Sequence, residues 1–113
     1  MSLKSFGTIA ENRRARYDYE VLDQWQVGIA LLGSEVKSLR LGNVRLPESY
    51  AGEHQGDLYL LNLHIGPYAN APKQFQHDPT RPRRLLLHKR ERNRLLGRVR
   101  EQRLTLVPLK LYF

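Results

Sequence analysis

Cysteine is absent from the 113 residues. That excludes disulfide staples, thiolate catalysis and zinc sites of the cysteine type, and it suits a reducing compartment. Long hydrophobic runs are absent too. The densest are Ile29-Ala30-Leu31-Leu32 and Leu58-Tyr59-Leu60-Leu61, far short of the ~20 apolar residues of a membrane helix. No apolar stretch near Met1 is long enough for a secretory leader. A cytoplasmic protein with no membrane partner is expected. The glycines are scattered, and Gly28 and Gly33 are too sparse for a phosphate-cradling loop. None of the four histidines, His54, His64, His77 and His88, stands four residues from another, so no metal-ligand spacing appears. The serines lack the context of a nucleophile elbow. His77-Asp78 could form an acid–base pair, although Asp78 before Pro79 is more simply a turn initiator. No catalysis, cofactor, metal or small-molecule substrate is expected.

Acidic residues are also scarce, and unevenly so. Residues 1–72 carry seven Lys and Arg against eight Asp and Glu; residues 73–113 carry twelve against three. Fourteen of the nineteen cations are arginine, whose planar donor fork suits phosphate and stacks on bases as lysine does not. A polyanionic partner follows from composition alone. Three clusters could neutralise phosphates: Arg13, Arg14 and Arg16; Arg81, Arg83 and Arg84; and Arg90, Arg94 and Arg98, which share one face of a helix. Lys37, Arg40 and Lys89 are further candidate contacts. Tyr17, Trp25, Tyr68 and Phe75 could stack on unpaired bases. For Tyr17, Tyr19 and Trp25, packing within a sheet is the simpler expectation.

At 113 residues the chain is one domain. Residues 1–10 are weakly patterned and expected to be loose. Tyr17, Tyr19 and Val21 alternate with Asp18 and Glu20, the period of a half-buried strand, continued through residues 24–27 and interrupted at Gly28. Ser34 is a candidate N-cap and Glu35 favours the positive helix end; Gly42-Asn43 ends that short helix. Residues 44–51 form a third strand, Gln55-Gly56-Asp57 a hairpin turn, and residues 58–65 a fourth strand. Residues 68–84 hold three prolines and form a long surface loop. Leu85-Leu86-Leu87 returns to the core, residues 88–102 are helical, and residues 104–113 alternate again around Pro108. The fold class is mainly β: an antiparallel closed barrel with OB-like topology, about six strands and two or three short flanking helices. Nothing in the pattern asks for a coiled coil or swapped strand, so a monomer is expected.

Several segments together resemble a known family. These are Gly33-Ser34-Glu35-Val36-Lys37-Ser38-Leu39-Arg40, Asp78-Pro79-Thr80-Arg81, Leu85-Leu86-Leu87-His88-Lys89-Arg90-Glu91 and the closing residues 104–113. Thr8-Ile9-Ala10, Asn12 and Ala15-Arg16 match as well. In this order they resemble the small protein B family, the SsrA-binding proteins of bacteria, over nearly the whole chain. The resemblance implies an OB-like barrel that binds the tRNA-like domain of transfer-messenger RNA (tmRNA) and helps deliver it to ribosomes stalled on defective messages. It implies RNA-binding roles for Asn12 and Leu86, and for a position that is usually Glu and is Gln26 here. The family usually has an apolar residue where Arg92 stands and often Gly where Arg103 stands. Arg in a left-handed conformation costs about 1 kcal/mol, so a different turn is expected at Arg103. The family's basic tail lies beyond the strand that ends here at Phe113, so this body is expected to bind tmRNA without completing tagging alone. The alternative is a generic single-stranded or ribosomal RNA-binding barrel of OB type. A small hydrolase using His77 and Asp78, and a module for an acidic protein, are weaker readings.

Overall fold

The computed structural model describes residues 8–113. The expectation of a loose start therefore lies partly outside the described residues. Thr8–Glu11 itself is a strand, β1, paired antiparallel with β8 (Lys110–Tyr112) at the other end of the chain. A single helical turn, α1 (Ala15–Asp18), follows where an alternating strand was expected. Asn12 decides this locally, because its Oδ1 accepts the Ala15 N–H at 3.3 Å and satisfies one of the turn's free donors. Tyr17 consequently points into solvent, 92% exposed. Residues 19–27 form no ladder, and only Gly28–Ile29 pairs as β2.

Helix α2 spans Gly33–Arg40, with Leu32 rather than Ser34 at the N-cap. Its start is held by Glu35, whose Oε1 accepts the Leu32 N–H at 2.7 Å. Its end is a Schellman motif. Gly42 N–H donates to Leu39 O at 2.9 Å and Asn43 N–H to Ser38 O at 3.1 Å, with Gly42 at φ +74°. The expected third strand is two short ones, β3 (Val44–Arg45) and β4 (Tyr50–His54). Hairpin β4–β5 (Asp57–Leu61) turns on Gln55 and Gly56, both at positive φ, as a two-residue turn requires. Asn62, also left-handed at φ 58°, splits the expected fourth strand into β5 and β6 (His64–Ile65). Beyond β6 the long loop contains one 3₁₀ turn, Lys73–Phe75, and ends at β7 (Arg83–Leu86). Helix α3 (Lys89–Gln102) has His88 as its N-cap.

The fold is mainly β, with three α-helices and antiparallel pairing throughout. Among the described residues, eight short strands replace the expected six and form three sheets: β1-β8, β2-β7-β5-β4 and β3-β6. Leu39, Leu46, Leu58, Leu60, Leu63, Ile65, Leu85, Leu95 and Leu96 make one core between α2, α3 and the sheets. The described residues form no continuous closed barrel. Leu106, four residues before β8, forms an isolated bridge to β4, with Ala51 N–H donating to Leu106 O at 2.9 Å. A cleft of about 850 Å³ is lined by residues 19–27 and 103–112 and by core leucines including Leu58, Leu60 and Leu85.

Arg103 ends α3 in the left-handed region, φ 51° and ψ 43°, so the chain keeps the turn that glycine would make and accepts the strain. Arg103→Gly is expected to raise stability by about 1 kcal/mol, read as a melting temperature roughly 4 °C higher. An unchanged or lower melting temperature would show that the strain is relieved elsewhere.

Candidate nucleic-acid interface

Strand β7 alternates strictly: Arg83 and Leu85 are buried, Arg84 and Leu86 exposed. The inward residues secure the strand and the outward ones form a surface. Leu86 is 46% exposed and faces Gly28 across the β2–β7 ladder. A Cβ on Gly28 would stand 3.2 Å from the Leu86 Cβ, so glycine there gives the leucine its room. Gln26, exposed, lies two residues before Gly28. Arg84 faces Tyr59 of β5 across the other ladder and stands 3.7 Å from Asp57. Lys89 and Arg90, both exposed, open α3 directly beyond the strand. This face thus combines an accessible leucine, an amide and several cations.

Asp57 moderates the face. The Leu58 N–H hydrogen bond, with Arg92 and Arg84 nearby, holds its carboxyl below the ordinary value against a smaller opposing effect of burial. Arg92, the departure from the family's apolar residue, folds back to Asp57 at 3.3 Å and so leaves the basic face.

Beneath the strand lies a buried ionic cluster. The side chains of Glu35 and Arg83 are both 0% exposed, with Arg83 Nε donating to Glu35 Oε2 at 2.5 Å. Arg81 donates to the other carboxylate oxygen, also at 2.5 Å. Arg83 further donates to Leu63 O and, at 3.1 Å, to Pro79 O. Burial works against the Glu35 anion, but hydrogen bonds from Arg81, Leu32 N–H and Arg83 outweigh it and hold the carboxyl below its ordinary 4.5. Burial also pulls the Arg83 guanidinium downward, with Glu35 opposing. Arg83 is therefore a structural cation and not a phosphate contact, which corrects its place among the candidates. Arg81 is half-buried and shared with this cluster.

The remaining candidates separate in the same way. Arg13, Arg14 and Arg16 are exposed around α1, and Arg13 has a carboxylate, Glu11, at 3.9 Å. Asn12 is buried: its Nδ2 donates to Pro108 O at 3.1 Å while its Oδ1 caps α1. It positions the arginines and presents no free polar group of its own. Lys37 and Arg40 are exposed on α2, with Lys37 Nζ 5.6 Å from the centre of the Tyr68 ring. On α3, Arg90 and Arg94 are exposed, but Arg98 is drawn to Asp23 at 3.3 Å and lies over Trp25 at 5.4 Å. His77 and Asp78 do not act together. His77 is buried between Ser34 Oγ and Ile65 O, each at 2.9 Å, while Asp78 accepts the Thr80 N–H at 3.0 Å as a turn residue. Among the described residues no three His, Asp or Glu side chains gather to hold a metal. No described helix is long and apolar enough to cross a membrane.

Sequence reasoning missed Glu35 as an anchor, although a signal existed. Glu35, Ser38 and Leu39 share one helical face, and Arg83 shares strand parity with the core residue Leu85.

Comparison with known proteins gives the family. The family described as SmpB protein matches residues 9–113. The SsrA-binding protein of Carboxydothermus hydrogenoformans is 57% identical over 105 residues, covering 93% of this chain and 70% of that protein. That of Desulforamulus reducens is 52% identical over 112 residues, 99% of this chain and 69% of the other. A solved chain from "tmRNA-SmpB: a journey to the center of the bacterial ribosome" superposes with a TM-score of 0.71 at 56% identity, covering 92% of this chain and 72% of its own.

Glu35→Gln leaves Arg83 buried without its anion and is expected to cost about 3–5 kcal/mol in urea unfolding. Because the folded-state carboxyl lies below 4.5, the stability it supplies is complete above that value and is lost as pH falls through the lower folded value. The variant should lack this part of the acid-side decline. A variant as stable as the parent, with the same acid profile, would remove the ion pair from the structural account.

Proposed function

The chain belongs to the SmpB protein family, and we propose on that footing that its β7 face is where it holds the tRNA-like domain of tmRNA. The chain binds tmRNA and works with it on the ribosome in trans-translation. The match of residues 9–113 to the family carries this conclusion. The finer assignments are our reading. Arg84, Leu86 and Gln26 meet the RNA directly, Lys89 and Arg90 extend the contact, and Arg13, Arg14 and Arg16 meet phosphates from the far side of the cleft. Asn12 acts through α1. Lys37, Arg40 and Arg81 add to the field.

An accessible leucine beside an arginine supports shape reading over simple charge attraction. Phosphate contacts fix position and carry no sequence information, whereas an apolar contact needs a fitted surface. We further infer that the strands form an OB-like barrel, since the Ala51–Leu106 bridge ties the segment leading into β8 to β4 of the four-stranded sheet. Residues 1–113 then act as one binding domain. The protein's part is to bind and position without chemistry of its own, as a monomer in the cytoplasm, where bacterial ribosomes are.

The test is binding to tmRNA against elongator tRNA across a salt series. The expected result is a preference for tmRNA that persists as salt rises; equal binding that fades for both would reduce the chain to a generic basic surface. Within that experiment, Leu86→Ala is expected to bind tmRNA about fivefold more weakly, the equivalent of losing about 1 kcal/mol of apolar burial, with an unchanged melting temperature. Arg84→Gln should lower the salt slope by somewhat less than one unit. Unchanged affinity in both variants would move the contact away from β7.

A further inference from the structure

The segment between β6 and β7 is long, yet it is fastened along its length. The Gln76 side chain closes a ring with its start: Oε1 accepts the Tyr68 N–H at 3.1 Å, and Nε2 donates to Ala71 O at 3.2 Å and to Tyr68 O. His77 is bonded to Ser34 of α2 and to Ile65 O. Arg83 holds Pro79 O, and Arg81 reaches Glu35. Lys37 of α2 lies over the Tyr68 ring. A loop fixed at so many points carries its exposed groups at fixed positions and loses little entropy on binding.

What it exposes is Phe75, 67% accessible, on the 3₁₀ turn with Lys73, one residue from the Gln76 that is tied to Tyr68. A lone exposed phenylalanine needs no explanation. This one sits on a fastened turn whose surroundings are cationic. Lys73 shares its turn, and Lys37 of α2 lies over the ring of Tyr68, whose backbone Gln76 holds, while Glu35 is engaged by Arg83 and Arg81, and Asp78 by Thr80. A ring with free access beside cations suits one class of ligand, a nucleotide whose base is not paired. Every base has a face to stack, and its phosphates find the cations. A duplex offers no such face, and the cationic rim argues against an apolar protein partner.

We propose that this loop is a second RNA contact, separate from β7, where an unpaired base stacks on Phe75 and the flanking phosphates meet Lys73 and Lys37. The proposal rests on the RNA-binding function above. Its test uses Phe75→Ala, Phe75→Trp and the parent chain with two probes: tmRNA, and a short single-stranded oligouridylate carrying one 2-aminopurine. Phe75→Ala is expected to lose about fivefold to 100-fold in affinity for tmRNA, the range of a lost base–aromatic stack, with no change in melting temperature. Phe75→Trp should retain affinity. The parent and Phe75→Trp should quench 2-aminopurine fluorescence, and Phe75→Ala should not. Parental affinity for tmRNA in Phe75→Ala overturns the proposal, as does equal quenching by all three. So does a variant that keeps both RNA readouts and loses only association with ribosomes free of tmRNA, which would make the loop a ribosome contact. If the parent chain fails to prefer tmRNA over elongator tRNA, the function above fails, and the quenching readout still decides Phe75.

Discussion

Glu35 and Arg83 face each other without access to water, and the placement of the surface follows from that meeting. A buried carboxylate and a buried guanidinium are each costly to desolvate, and a pair of them is weak evidence for extra stability. What the pair does is exclude alternatives. Glu35 already caps α2 through the Leu32 N–H, so Arg83 can satisfy it only if β7 runs past the start of that helix. Arg83 also holds Leu63 O and Pro79 O. One guanidinium thereby sets the helix, the strand, the turn before β6 and the end of the long loop relative to one another. An apolar pair of the same volume would fill the space but would accept a shifted strand. A shift of one residue would bury Arg84 and Leu86 and turn Arg83 outward.

The same alternation explains why a strongly basic sequence yields an unevenly charged surface rather than a uniform one. Many of the cations in the last third of the chain are already committed. Arg81 and Arg83 face Glu35, Arg92 faces Asp57, Arg98 faces Asp23 and Arg100 faces Glu53. Arg83, buried in its pair, adds only to the long-range field, whereas the half-exposed pairs can exchange partners. Many of the cations left accessible lie at α1, at the β7–α3 junction and on α2 and the long loop. Net charge brings a polyanion near; the pairing pattern decides where it can be held.

Much of this was legible in the sequence where a local rule had no competitor. The β4–β5 hairpin, the Gly42 helix end and α3 with its inward leucines follow from turn chemistry and periodicity. The errors fell where two rules competed. Residues 17–21 alternate as a strand does, but Asn12 caps a helical turn at Ala15 and wins because its own side chain is buried against Pro108. Residues 58–65 read as one strand, but Asn62 adopts a left-handed conformation and donates to Glu48 O at 3.1 Å. The Arg81, Arg83 and Arg84 cluster looked like one patch because composition carries no parity. Read with a period of two from Leu85, it divides into Arg81 and Arg83 facing inward, one shared and one buried, and Arg84 facing outward. Residues 19–27 alternate as a strand does but form no ladder, because alternation alone does not supply a pairing partner.

On the proposed reading, Arg84 shows how loosely a contact residue should be held. Asp57 stands 3.7 Å from it, but that carboxylate is closer to Arg92, at 3.3 Å, and accepts the Leu58 N–H at 2.9 Å. Its charge is thus divided, and Arg84 is oriented without being captured. An arginine with no anion nearby would sample many rotamers and lose that freedom on binding. An arginine in a close, buried pair, like Arg83, could not leave it for a phosphate. A half-exposed ion pair is worth little in stability, so exchanging Asp57 for an RNA phosphate costs little, while the preset direction of the guanidinium is kept. Leu86, next on the same face, cannot exchange partners in this way and rewards only a surface that fits it. Together they separate attraction from recognition within two side chains of one strand.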